Sequence, residues 1–166
     1  ESKAERKTDV RGKREDLGGR RIRTKMKRLI ETLKRHEGVK YYVYKDHLGY
    51  ETIGVGRCLK QGVGLGLTHD EVDYLLMNDI NRCLEELDAA FPWFKDLTEI
   101  RREAMINLCF NLGLTRLRKF EKALAAMSIH NYEEAADEFL DSRWAKQVGN
   151  RATEVTEMIR TGEQHA

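Results

Sequence analysis

The chain has 166 residues, 40% hydrophobic and 35% charged, with a formal net charge of +2. That length suits one domain with its own core, and no apolar run approaches the roughly 20 residues that span a bilayer, nor does the N-terminus carry the apolar segment of a signal peptide. The three cysteines, Cys58, Cys83 and Cys109, are odd in number and lack CxxC spacing, which excludes a disulfide framework and suits reduced thiols of a cytoplasmic protein.

The charge is uneven. Residues 1 to 28 hold twelve Lys and Arg against five Asp and Glu, an excess of seven, which leaves a net −5 for the remainder. Residues 1 to 25 also carry Gly12, Gly18 and Gly19 and almost no large apolar side chains, so burial cannot offset the entropy of ordering them. They read as a disordered arm or linker, helical at most near its end. Its basic run from Arg20 to Arg28 suits an anionic envelope surface, whereas the absence of interleaved aromatics argues against nucleic acid.

From Met26 the spacing of Leu29, Ile30 and Leu33 predicts a helix stopped by Gly38. Tyr41 to Tyr44 and Glu51 to Val55 read as two strands around a turn containing Asp46 and Gly49. Thr68 and Glu71 form a capping box that opens a long helix with Val72, Leu75, Leu76, Ile80, Cys83, Leu84 and Leu87 inward, ended by Pro92. Residues 99 to 112 include the nearly unbroken apolar run Ala104, Met105, Ile106, Leu108, Cys109, Phe110 and Leu112, which predicts a central helix buried on most sides and stopped by Gly113. Helices follow at about 116 to 127, 132 to 145 and 150 to 161, the last capped by Asn150 and stopped by Gly162. The fold class is α+β, with one hairpin in front and helices behind.

The front of the chain carries the chemistry. Glu37 falls at a helix end, Asp46 in a turn and Thr52 on the returning strand. Breaking a glycosidic bond needs a carboxylic acid to protonate the leaving oxygen and a carboxylate on the opposite face. Two carboxyls in unlike settings divide those tasks, and a nearby hydroxyl can orient water. By spacing alone, a Glu and an Asp this close are common among 28 acidic residues, and Asp46 could serve only as a turn former. Arg143 or Arg151, folded back, could hold Glu37 by a hydrogen bond.

The surrounding text is more specific. From Met26 to Gly162 the chain resembles the phage-type lysozymes (endolysins) of glycoside hydrolase family 24. The resemblance rests on Glu37-Gly38, Tyr44-Lys45-Asp46, Gly49-Tyr50, Thr52-Ile53-Gly54-Val55-Gly56, Arg102, Ala104, Asn107, Phe110 to Gly113, Ser142-Arg143-Trp144, Asn150-Arg151-Ala152 and Arg160 to Gly162, in family order. It implies a lysozyme domain over 26–166, with a β lobe at about 39–66 and a helical lobe at about 67–162 plus the helix 26–37. A long helix would join the lobes, with the catalytic cleft between them. It also implies a monomeric muramidase acting on peptidoglycan glycan strands, cleaving the β-1,4 bond between N-acetylmuramic acid and N-acetylglucosamine without metal or cofactor. Glu37 would be the proton donor, Asp46 its carboxylate partner and Thr52 a water-placing group. An inverting outcome needs carboxyls roughly 6.5 to 9.5 Å apart.

Cys58 and Phe110 match cleft-lining positions of the family. Ala123 and Glu138 stand where relatives carry a small hydroxyl and an amide that touch sugar, and Arg57 stands where a His is common. The family pattern is synthesis in a host cytoplasm with release to the wall through a separate pore protein, or delivery on an infecting particle. The rivals are a lytic transglycosylase on the same bond and a non-catalytic structural domain of a virion tail. Other motifs fail: His36-Glu37-Gly38-Val39-Lys40 lacks the second His of a zinc protease helix, and Gly54-Val55-Gly56 lacks the last Gly of a dinucleotide fingerprint.

Overall fold

The computed structural model describes residues 20–163, and these divide into two compact units, the first ending at His69 and the second starting at Asp70. The architecture is α+β, mostly helical with one small antiparallel sheet.

In the first unit, residues 20 to 25 are helical and run through Met26 into α1 (Lys27–Glu37), with Met26 N–H donating to the Ile22 carbonyl at 2.9 Å. The arm expected at 1–25 therefore overlaps a helix at its end, and its first 19 residues lie outside the described part. Gly38 stops α1 as expected: at φ +76° it takes a conformation that a side chain would resist, and its N–H donates to the Lys34 carbonyl. Lys34, Arg35 and His36 in the last turn complement the helix dipole. The apolar stripe is not enclosed, however, because Leu29 and Leu33 are exposed and Ile30 is half-buried.

Strands β1 (Lys40–Lys45), β2 (Glu51–Gly54) and β3 (Arg57–Cys58) form an antiparallel sheet in that order. Tyr44 pairs with Thr52 and Thr52 in turn with Cys58, while the register of β1 shifts between Lys40 and Tyr44. The two-residue β3 is too short to leave a periodic signal.

The second unit is helical: α2 (His69–Ala90), a 3-10 turn at Phe94–Asp96, α3 (Glu99–Leu112), α4 (Leu114–Leu117), α5 (Glu121–Ser128), α6 (Tyr132–Leu140), α7 (Arg143–Val148) and α8 (Asn150–Thr161). Its core runs from Cys83 to Ile159 around Met105, Leu108, Met127 and Phe139, all fully buried. Helix α3 is buried on most sides as its composition predicted. Helix α2 is so only in its second half, since Val72, Leu75 and Leu76 are exposed ahead of the core.

Two expected helices are each divided. The span 116–127 breaks after Leu117 and restarts at Glu121, and 132–145 breaks at Asp141, because the Ser142 hydroxyl accepts from Ala145 N–H and starts a new helix. The last helix is preceded by Gly149 at φ +59°, so Asn150 is its first residue rather than its cap. Asn131 is a side-chain cap, accepting from Glu134 N–H and donating to the Glu134 carboxylate. Across α6 and α8, Arg160 meets Glu133 at 2.7 Å, Asp137 at 2.8 Å and Glu157 at 3.0 Å. Arg101 donates to the Ile159 and Arg160 carbonyls and stacks 3.7 Å from the Tyr132 ring centre.

The Cys109 thiol lies 3.8 Å from the Glu86 carboxylate and beside Cys83. Burial foremost, with Cys83 and Glu86 adding to it, pushes its pKa from 9.0 up to about 12. An unfolded chain releases this proton near pH 9, while the folded one keeps it until about pH 12. The contribution to stability is therefore complete below the lower value and lost as pH rises toward the upper. Urea midpoints measured across that window should fall more steeply in the wild type than in Cys109→Val, and parallel slopes would remove Cys109 as the cause.

Candidate active site

The first unit carries Glu37 at the end of α1, Asp46 in the β1–β2 turn, and Thr52 and Cys58 on the sheet. Glu37 is the last residue of α1, and its exposed side chain reaches the β2–β3 turn. There Gly56 lies so close that a Cβ on it would stand 2.8 Å from Glu37 Oε2 and 3.2 Å from the carboxyl carbon. Gly56 also has φ +66°, a conformation that a side chain would strain, and a side chain there would have to displace the Glu37 carboxylate from its present place. The carboxylate thus rests against bare backbone two residues before Cys58. The repeated glycines of Gly54-Val55-Gly56 carried the signal for this in the sequence, and it could be read only as part of a family motif.

Asp46 closes the hairpin. Its Oδ1 accepts from the N–H groups of Leu48 and Tyr50, both at 2.9 Å, while the Gly49 N–H donates to its carbonyl and its own N–H to the Tyr50 carbonyl. The side chain is therefore a turn former, as the plain reading of the sequence allowed, with one carboxylate oxygen tied to the backbone. Any further partner falls to Oδ2.

Thr52 is 3% exposed, and its hydroxyl donates to the Tyr50 carbonyl at 2.9 Å. With its proton so directed, Oγ1 can serve a bound water only as an acceptor. Cys58 is half-buried, and a side chain at Gly64 would collide with its carbonyl, so this loop packs closely behind it. Arg57 donates to the Gly66 carbonyl at 3.0 Å, tying the same loop to β3.

The other expected site residues belong to the second unit. Ala123, Glu138 and Arg143 line one groove of about 570 Å³, together with Arg116, Lys119 and Trp144. Ala123 is buried in its wall, Glu138 is half-buried and Arg143 is exposed. Phe110, on α3, is 45% exposed. Arg151 directs Nε and Nη2 to Asn107 Oδ1 at 3.0 and 2.8 Å, which partners the amide that interrupts the apolar run between Ile106 and Leu108. Trp144 is buried and donates to Asn111 Oδ1 at 2.6 Å. The pairing of Trp144 with Asn111, 33 residues apart, left no mark in local sequence.

The turn-forming role of Asp46 can be tested by substitution. Asp46→Asn keeps an oxygen acceptor, so amide hydrogen exchange at Leu48 and Tyr50 should stay as slow as in the wild type. Asp46→Ala should accelerate both and cost about 1–2 kcal/mol, the usual net worth of two such bonds. Equal exchange in the two variants would contradict the turn geometry.

The phage lysozyme family profile matches residues 34–160. A Dictyostelium discoideum protein named Probable T4-type lysozyme 1 is 28% identical over 80% of this chain and 93% of its own length. The Endolysin of Salmonella phage P22 is 29% identical over 67% of this chain and 77% of its own. The pre-baseplate central spike protein of Enterobacteria phage T4 is 29% identical over 81% of this chain, a match that takes in 28% of the spike protein. With most of its length, the β2–β3 turn and both candidate carboxyls inside the matched region, the chain belongs to the phage lysozyme family.

Proposed function

We propose that this protein is a peptidoglycan hydrolase, a muramidase that cleaves the β-1,4 bond between N-acetylmuramic acid and N-acetylglucosamine with inversion. The observation that carries the reading is the lodging of the Glu37 carboxylate against Gly56, inside the region matched by the phage lysozyme family.

In this mechanism Glu37 is the general acid. Its proton passes to the glycosidic oxygen as the bond to the anomeric carbon breaks, and positive charge develops on the sugar. A water molecule attacks the opposite face and gives its proton to Asp46. Since Asp46 Oδ1 is held by the turn, Oδ2 is the base, and Thr52 Oγ1 offers the water a second acceptor. A water donating to two acceptors keeps a lone pair for the sugar. That arrangement suits hydrolysis better than ring closure to an anhydro product, which needs no placed water. Cys58, Phe110, Ala123 and Glu138 are assigned to substrate contact, with Arg143 and Arg151 in supporting roles, Arg151 through its bonds to Asn107.

Glu37→Gln should slow fragment release from purified peptidoglycan by roughly 10²–10⁴-fold, the usual worth of a general acid, with the circular dichroism spectrum unchanged. Mass spectrometry of wild-type products should find reducing ends carrying the added water. Fragments lighter by one water would replace hydrolysis with transglycosylation.

Gly56→Ala tests the seat of the acid. Its methyl must push the Glu37 carboxylate aside, and a displacement near 1 Å commonly costs about 100-fold in rate. A Gly56→Ala protein that is folded and fully active would separate the seat from catalysis.

A further inference from the structure

We propose that Tyr41 and Tyr42 on β1 form a second carbohydrate-binding surface, which holds the wall glycan away from the bond being cut. The proposal rests on the reading of the protein as a peptidoglycan hydrolase.

Tyr41 is 83% exposed and Tyr42 86%, and the next residue, Val43, is 53% exposed. Neighbours on a regular strand face opposite sides. These residues fall where the β1–β2 register shifts, between Lys40 and Tyr44, and both rings stand in solvent. Such a surface asks for an occupant, and three features select one. First, β1 is an edge strand, but the irregular register interrupts the row of backbone groups that an added peptide strand would need. Recognition must then run through the side chains.

Second, the side chains are tyrosines rather than aliphatics. A phenol ring gives a flat apolar face for the C–H face of a hexose and a hydroxyl for the sugar's own hydroxyls, a combination that a purely apolar partner would leave partly unsatisfied. Third, the exposed Lys40 and Lys45 bracket the pair and complement the carboxylates along a peptidoglycan strand.

Position completes the case. The strand bearing the tyrosines ends one residue before Asp46, which places Tyr42 about 13 Å from the candidate base at about 3.3 Å per residue. A polymer lying in the site can therefore reach this surface, whereas a short fragment cannot use both. The second contact raises affinity for long strands through effective concentration and leaves the chemistry untouched.

The experiment uses the full chain in the Glu37→Gln background and measures co-sedimentation with purified insoluble peptidoglycan. Adding Tyr41→Ala and Tyr42→Ala should weaken binding at least about fivefold, as truncation of aromatic anchors does. In the active background the double variant should turn over a short soluble glycan fragment at the wild-type rate and clear insoluble wall more slowly. Undiminished sedimentation overturns the proposal. So does a loss of binding confined to phosphatidylglycerol vesicles, which would make the surface a membrane contact. If the wild type releases no glycan fragments at all, the hydrolase reading fails, an outcome distinct from undiminished sedimentation.

Discussion

At residue 56 the backbone of the β2–β3 turn takes a left-handed conformation that favours glycine, and the bare Cα leaves the Glu37 carboxylate room to lie against it. Helix and sheet are joined there by a contact between a side-chain terminus and bare main chain. Glu37 ends α1 and β1 begins at Lys40, so only two residues separate the helix that carries the carboxylate from the sheet. The turn leads directly into β3, where pairing with Thr52 and the Gly66 N–H bond to its carbonyl hold Cys58.

Much of this was legible in the residues. Gly38 and Gly113 marked helix ends, the turn around Asp46 and Gly49 marked the hairpin, and the apolar run of α3 marked the core. These signals are local, and local chemistry decides them. What stayed hidden depended on distant partners. The break between α6 and α7 follows from one serine hydroxyl outcompeting helix continuation at Ser142, a choice that the apolar spacing of 132–145 does not reveal. The exposure of Leu29, Leu33 and Val72 was likewise unreadable, because periodicity shows that a face exists without showing what covers it.

For the site, residue types and settings were visible while the division of atoms was not. The sequence could place Asp46 as a turn former or as a reactive carboxylate, and the structure shows the first role occupying a single oxygen. It could offer Thr52 as a water-binding hydroxyl, and the bond to the Tyr50 carbonyl restricts that hydroxyl to accepting. Arg151, one of two candidates to steady Glu37, makes its short bonds to Asn107, and those bonds partner the amide in α3.

The tie between Oδ1 of Asp46 and the turn bears on which substitutions the hairpin tolerates. An amide at position 46 can keep the tie while giving up the charge, so the charge can be lost without unravelling the hairpin. The fold of the hairpin and the charge at its tip are thereby separable features of such a domain. The spike protein of Enterobacteria phage T4, which carries a related stretch inside a far longer chain, shows that this kind of domain is already found within larger proteins.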